Sequence, residues 1–131
     1  MNVYATGCLL IASVITISGW EGLGAFSAAL QSATLYATEV PLKTMKAAYE
    51  CFEIVKAMAE IGNPNSVSDA GVGVLAARSA VLGAELNVKI NAAGLKDREA
   101  AEHLISQAAE IARKSIALEA EILEIVNQKI G

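Results

Sequence analysis

A chain of 131 residues is one domain's worth of polypeptide, long enough to enclose a core if it folds compactly. Its 14 acidic and 10 basic side chains leave a net charge of −4 and no basic patch, which argues against nucleic acid as a partner. Apolar residues reach 54 % and charged ones only 18 %, below the roughly one quarter of ordinary soluble domains, so apolar surface is expected to hide in an oligomer or against a membrane. A lone histidine, His103, excludes a histidine-cluster metal centre within one chain. Cys8 and Cys51 match no metal or redox spacing and read as small buried thiols of a reducing compartment.

Residues 1–38 carry a single charged side chain, Glu21. Within them the run CLLIASVITISGW, Cys8 to Trp20, is apolar but broken by Ser, Thr and Gly. It is short for a bilayer span, which wants about 20 apolar residues, and it lacks the basic start of a secretion signal. A core or interface element is the expectation, with a membrane anchor as the alternative. β-Branched residues at 9–17 give the one faint strand signal.

Helical signals follow. FSAALQSATLYATEV is alanine-rich and reaches Pro41, which either opens a new helix in its first turn or sits inside a continuous one. In PLKTMKAAYECFEIVKAMAEIG, Met45, Ala48, Phe52 and Val55 recur at helical spacing, while Lys43, Lys46, Glu50, Glu53, Lys56 and Glu60 mostly take other faces. Gly62 and Pro64 stop that helix. The next is expected from Ser66 to about Ile90, with Ser66 and Asp69 as an acidic variant of the capping box. A last helix runs from the KDREAAEHL stretch almost to the end, roughly 50 Å long. Leu104, Ala108, Ile111, Leu118, Ile122 and Ile125 form its apolar stripe, widened by Ile105, Ile116, Leu123 and Val126. The fold class is all-α, a bundle of long helices completed by dimerisation.

At 100° per residue, Asp69, Gly73, Ala76, Ala80, Gly83, Asn87 and Asn91 fall within about 40° of one line. Small side chains along a helix admit either a neighbouring helix or a flat ligand. The two interior glycines cost about 1 kcal/mol each against alanine, so one of these two occupants should offset them. The stretch GNPNSVSD has the same double reading. Asn63, Asn65, Ser66 and Ser68 are good turn and cap formers, and they also offer donors and acceptors to a polar heterocycle beside the free amides of a helix start. Asp69 reads either as a first-turn acid or as a general acid–base.

From about Phe26 onward, Val40-Pro41-Leu42, the Gly-Asn-Pro-Asn-Ser-Val-Ser-Asp run, Gly83-Ala84, Leu86-Asn87-Val88 and Ile90-Asn91 closely resemble the cyclodeaminase domain of formiminotransferase-cyclodeaminase, in its C-terminal half. The same domain stands alone in bacteria as a cyclodeaminase or methenyltetrahydrofolate cyclohydrolase. The resemblance implies a homodimeric, cytoplasmic, all-helical protein acting on a tetrahydrofolate derivative without metal or organic cofactor, a membrane being the less favoured partner. Of the family's carboxylates only Asp69 has a counterpart in the motif, so an active enzyme needs Asp69 or a partner chain to supply the catalytic acid, with Asn63, Asn65, Ser66, Ser68, Asn87 and Asn91 lining the folate groove. The family's Pro-Gly-Gly-Gly-Ser start and its Asp-x-Asp-Ala-x-Ala-aromatic stretch, which carries its proposed catalytic aspartate, have no counterpart here. Residues 1–25 therefore read as an atypical apolar segment before a 26–131 half-domain. Two readings follow: an active cyclodeaminase or cyclohydrolase, or a truncated, inactive helical scaffold or folate-binding remnant.

Overall fold

Long stretches free of Gly-Pro punctuation favour few, long helices. The computed structural model, which describes the backbone of residues 3–131 and the side chains of residues 22–131, contains three. Helix α1 spans Val3–Ile61, a 3-10 turn spans Pro64–Ser66, α2 spans Val67–Ala92 and α3 spans Arg98–Ile130. No strand occurs among the described residues, and the backbone of residues 9–17 is helical. Helix α1 also runs unbroken across residue 25 and contains Pro41 in its interior. The short links at 62–66 and 93–97 make successive helices antiparallel neighbours, and each helix touches both others.

Register follows from the cross-helix bonds. Gln31 on α1 donates to Gly94 O and accepts from Lys96 N, clasping the α2–α3 link from both sides. At the other end Lys129 Nζ donates to Glu60 O, one of the last carbonyls of α1. Lys56–Glu121 and Lys46–Gln107 fix α1 parallel to α3. Across α2 and α3, Arg78 Nε lies 3.1 Å from Glu119 Oε2, an ion pair by distance without hydrogen-bond alignment.

The core is built largely of small side chains. Met45 and Phe52 from α1, Val74, Val81 and Val88 from α2, and Ile122 from α3 are its fully buried large members. Beside Leu42, Val67, Leu95, Leu104 and Val126, the small Ala59, Ala70, Ala84, Ala92, Ala101, Ala108 and Ala112 are buried and let the helices approach closely. Of the expected α3 stripe, Leu104, Ala108, Ile122 and Val126 are buried, and Ile105, Ile111, Leu118, Leu123 and Ile125 are half-buried. Ile116 is exposed instead, and Ser115 takes an inward position, turning its hydroxyl back to Ala112 O at 2.9 Å. By length and composition α2 with its preceding turn could cross a membrane; a third of that window is buried within the bundle.

Two local expectations are corrected. Ser66 does not cap α2: it sits at φ −114° and ψ 15°, outside the extended geometry a cap needs, and its side chain makes no capping bond. The cap belongs to Asn63, which is extended and accepts the Asn65 N–H at 3.0 Å, starting the 3-10 turn that runs straight into α2. Cys51 is exposed, not buried; it lies on the outer side of α1 with its thiol turned to Ala47 O at 3.6 Å. Cys8 and the side chains of the 8–20 run lie outside the described residues. The expected stop at Gly62 holds: a Cβ there would fall 2.3 Å from Met58 O, so only glycine turns the chain there.

Candidate functional site

Pro41 lacks an N–H, so the Ala37 carbonyl four residues earlier has no helical donor. Asn91 of α2 supplies one, its Nδ2 lying 2.8 Å from Ala37 O. One turn earlier, Asn87 Nδ2 donates to Gly83 O within α2 at 3.3 Å. A carbonyl oxygen only accepts, so these bonds dictate how both carboxamides are oriented. Each Oδ1 has no protein donor among the described residues.

Between the two helices at this level lies an open groove of about 530 Å³. Its α1 wall is Ala37, Val40, Pro41 and Thr44; its α2 wall is Ser79, Ala80, Gly83, Ala84, Asn87 and Asn91. The size suits a small organic ligand. None of the lining residues is charged. Thr44 donates its hydroxyl to Val40 O at 3.2 Å and Ser79 donates to Leu75 O at 2.9 Å. The groove is therefore apolar-walled, acceptor-rich and neutral.

The stripe glycines now separate. A Cβ at Gly73 would make ordinary contact with Val55 at 3.6 Å, whereas one at Gly83 would meet nothing within 4 Å. Helix packing thus gives no account of Gly83, which leaves empty room in the groove.

Of the residues singled out by sequence, Asn87 and Asn91 lie in this groove. Asn63, Asn65, Ser66, Ser68 and Asp69 lie together at the opposite end of α2. Eighteen residues at 1.5 Å rise separate Asp69 from Asn87 by about 27 Å. Asp69, Ser68, Asn63 and Asn65 are exposed there, and Ser66 is half-buried. Pro41, Thr44, Ala37 and Ser79 complete the groove without having been picked out as site residues, although Pro41 stood in the motif Val40-Pro41-Leu42.

Strong electrostatic perturbation lies elsewhere. Hydrogen bonds from Arg113 and Lys114 hold the exposed Glu110 carboxyl at about 2. The hydrogen bond to Glu121 raises Lys56 above the ordinary lysine value. A second cavity of about 380 Å³, lined by Tyr49, Phe52, Lys56 and Glu60 among others, has its cation already engaged by Glu121. No group of three metal-ligating side chains occurs among the described residues.

Comparison with known proteins gives a consistent result. The formiminotransferase-cyclodeaminase family matches residues 23–110. A methenyltetrahydrofolate cyclohydrolase of Methylorubrum extorquens is 38 % identical over 111 residues, covering 85 % of this chain and 53 % of its own. A formimidoyltransferase-cyclodeaminase of Dictyostelium discoideum is 33 % identical over 101 residues, covering 77 % of this chain and 19 % of its own. The chain thus spans about half the length of the first relative and about a fifth of the second.

Proposed function

The chain belongs to the formiminotransferase-cyclodeaminase family, and on that premise we propose that the α1–α2 groove binds a one-carbon tetrahydrofolate for a cyclodeaminase or cyclohydrolase reaction. The observation that carries this reading is the neutral α1–α2 groove, lined by two carboxamides whose nitrogens are already engaged. Gly83, an exposed helix-interior glycine, adds no side chain to that groove. The relatives' names point the same way and do not favour a scaffold without a folate role.

In the cyclodeaminase direction, N10 of 5-formiminotetrahydrofolate attacks the formimino carbon. The amino nitrogen on that carbon takes a proton and leaves as ammonia, giving the 5,10-methenyl ring. In the cyclohydrolase direction, water adds to the methenyl carbon and the ring opens to a formyl folate. The acceptors orient the pterin for either reaction. Neither reaction calls for a metal or organic cofactor.

Proton transfer needs a group that the groove lining does not contain. Asp69 is too far along its own helix to serve the same chain's groove. A second copy packed with its α2 antiparallel brings the partner's Asp69 toward the Asn91 end. The exposed Val72, Leu75, Leu86 and Ile90 on α2 offer the apolar face for that packing. The protein is accordingly read as a cytoplasmic homodimer with lyase or hydrolase activity, and Asn63, Asn65, Ser66 and Ser68 rim the site from the partner's side.

Methenyl absorbance during incubation with 5-formiminotetrahydrofolate tests turnover, and loss of that absorbance from added methenyltetrahydrofolate tests hydrolysis. A rate proportional to protein is expected in one assay. Flat traces in both at high protein concentration contradict the enzymatic reading. Mixing Asp69→Asn with Asn87→Ala/Asn91→Ala chains should restore a rate that each lacks alone; no recovery excludes Asp69 acting across the dimer.

A further inference from the structure

We propose that Asn91 and Asn87 act as a paired hydrogen-bond acceptor reading the N–H edge of the bound ring, and that Pro41 is the positioning residue that holds Asn91 in this role. The inference rests on the folate reading above and specifies which edge of the pterin the groove recognises: the 2-amino group and N3–H of its pyrimidine ring.

Asn91 makes a hydrogen bond that solvent could replace. Ala37 is exposed, so water alone would satisfy the carbonyl that Pro41 deprives of its helical donor. Instead Asn91 crosses from α2 to bind it at 2.8 Å. That tie fixes the amide with its nitrogen toward α1 and keeps Oδ1 as the unpartnered end. Asn87, four residues earlier, turns its nitrogen back along α2 to Gly83 O, which likewise leaves its Oδ1 as the unpartnered end. The two acceptors stand one helical turn apart, their Cβ atoms about 6 Å from each other, on one wall of the groove.

Thr44 and Ser79 extend the pattern, because each spends its single hydroxyl proton on its own helix and keeps only lone pairs for the groove. A neutral slot offering acceptors in this number selects a ligand edge carrying adjacent N–H donors. Anionic edges are disfavoured. A 2-amino-4-oxo pyrimidine presents such donors side by side. Pro41 matters because it leaves the Ala37 carbonyl without a helical donor, so that Asn91 is its one protein donor among the described residues; alanine there would return a backbone N–H and weaken the tie that orients the carboxamide.

Calorimetric titration with 5-formyltetrahydrofolate, run with thermal melts, tests this on four proteins: wild type, Asn91→Ala, Pro41→Ala and the double variant. Asn91→Ala should weaken binding roughly tenfold or more, the loss expected when a ligand donor is left unpaired. Pro41→Ala should keep or raise the melting temperature yet weaken binding several-fold. The double variant should melt no lower than Asn91→Ala and bind no better. A 2-desamino analogue should bind wild type more weakly than the parent ligand and bind Asn91→Ala without that penalty. Wild-type affinity in the double variant would overturn the proposal, since Asn91 would then serve only to tie α1 to α2. Absence of binding to wild type would instead overturn the folate reading itself.

Discussion

A Cβ at Gly71 would lie 3.2 Å from Val126 Cγ1, whereas one at Gly83 would face open groove, although both glycines sit in the interior of α2. Gly83→Ala should therefore gain the ordinary helix preference, up to about 1 kcal/mol. Gly71→Ala must displace Val126 within the core, so that gain should vanish or reverse; denaturant unfolding of the two variants measures the difference. Sequence periodicity placed Gly83, Asn87 and Asn91 on one line, and that much of the groove was legible. It did not single out Gly71, because a helical wheel does not say which side a neighbouring helix takes. Nor did it reveal the Pro41–Ala37–Asn91 relation, because a bond joining residues 54 positions apart leaves no periodic trace.

At the scale of elements, the helix starts carry separable predictions. Asn63→Ala and Asp97→Ala each remove a side-chain cap, to Asn65 N and Ala100 N respectively, and should cost about 1 kcal/mol by thermal or denaturant unfolding. Ser66→Ala removes no capping bond and should be close to neutral. Ser-x-x-Asp before an apolar run points to Ser66 as the cap. The 3-10 turn, initiated by Asn63 and Pro64, moved the start upstream. The long α3 was legible from its stripe, whose period persists along the helix.

Its exposed face gives a pH test. Glu110 is held at about 2 against an ordinary 4.5, so its ion pairing stabilises fully above about 4.5 and is lost as pH falls through about 2. The group is fully exposed, so the effect should be small and screened by salt. Unfolding curves of wild type and Glu110→Gln should differ modestly at neutral pH and converge in strong acid or high salt.

For the whole molecule, the apolar surplus visible in composition has a location. Val72 and Leu86 are each 66 % exposed and Ile90 73 %, all on one side of α2 beside the groove. In the proposed dimer a second copy covers this face and brings its Asp69 to the groove. Leu86→Glu/Ile90→Glu should shift the mass seen by light scattering to that of a monomer if this face is the interface. Composition predicted that apolar surface exists; the packed helices show that part of it lies along α2 beside the groove, while Ile54 and Ile61 on α1 and Ile116 and Ile130 on α3 are exposed as well.

The central claim is that the space beside Gly83 is held open for a reduced folate. Calorimetric titration of 5-formyltetrahydrofolate into wild type and Gly83→Leu tests it most directly, since leucine is a good helix former and its Cβ meets no protein atom there. The account predicts an unchanged or higher melting temperature with binding weakened at least tenfold. Equal affinity in the two proteins would contradict it.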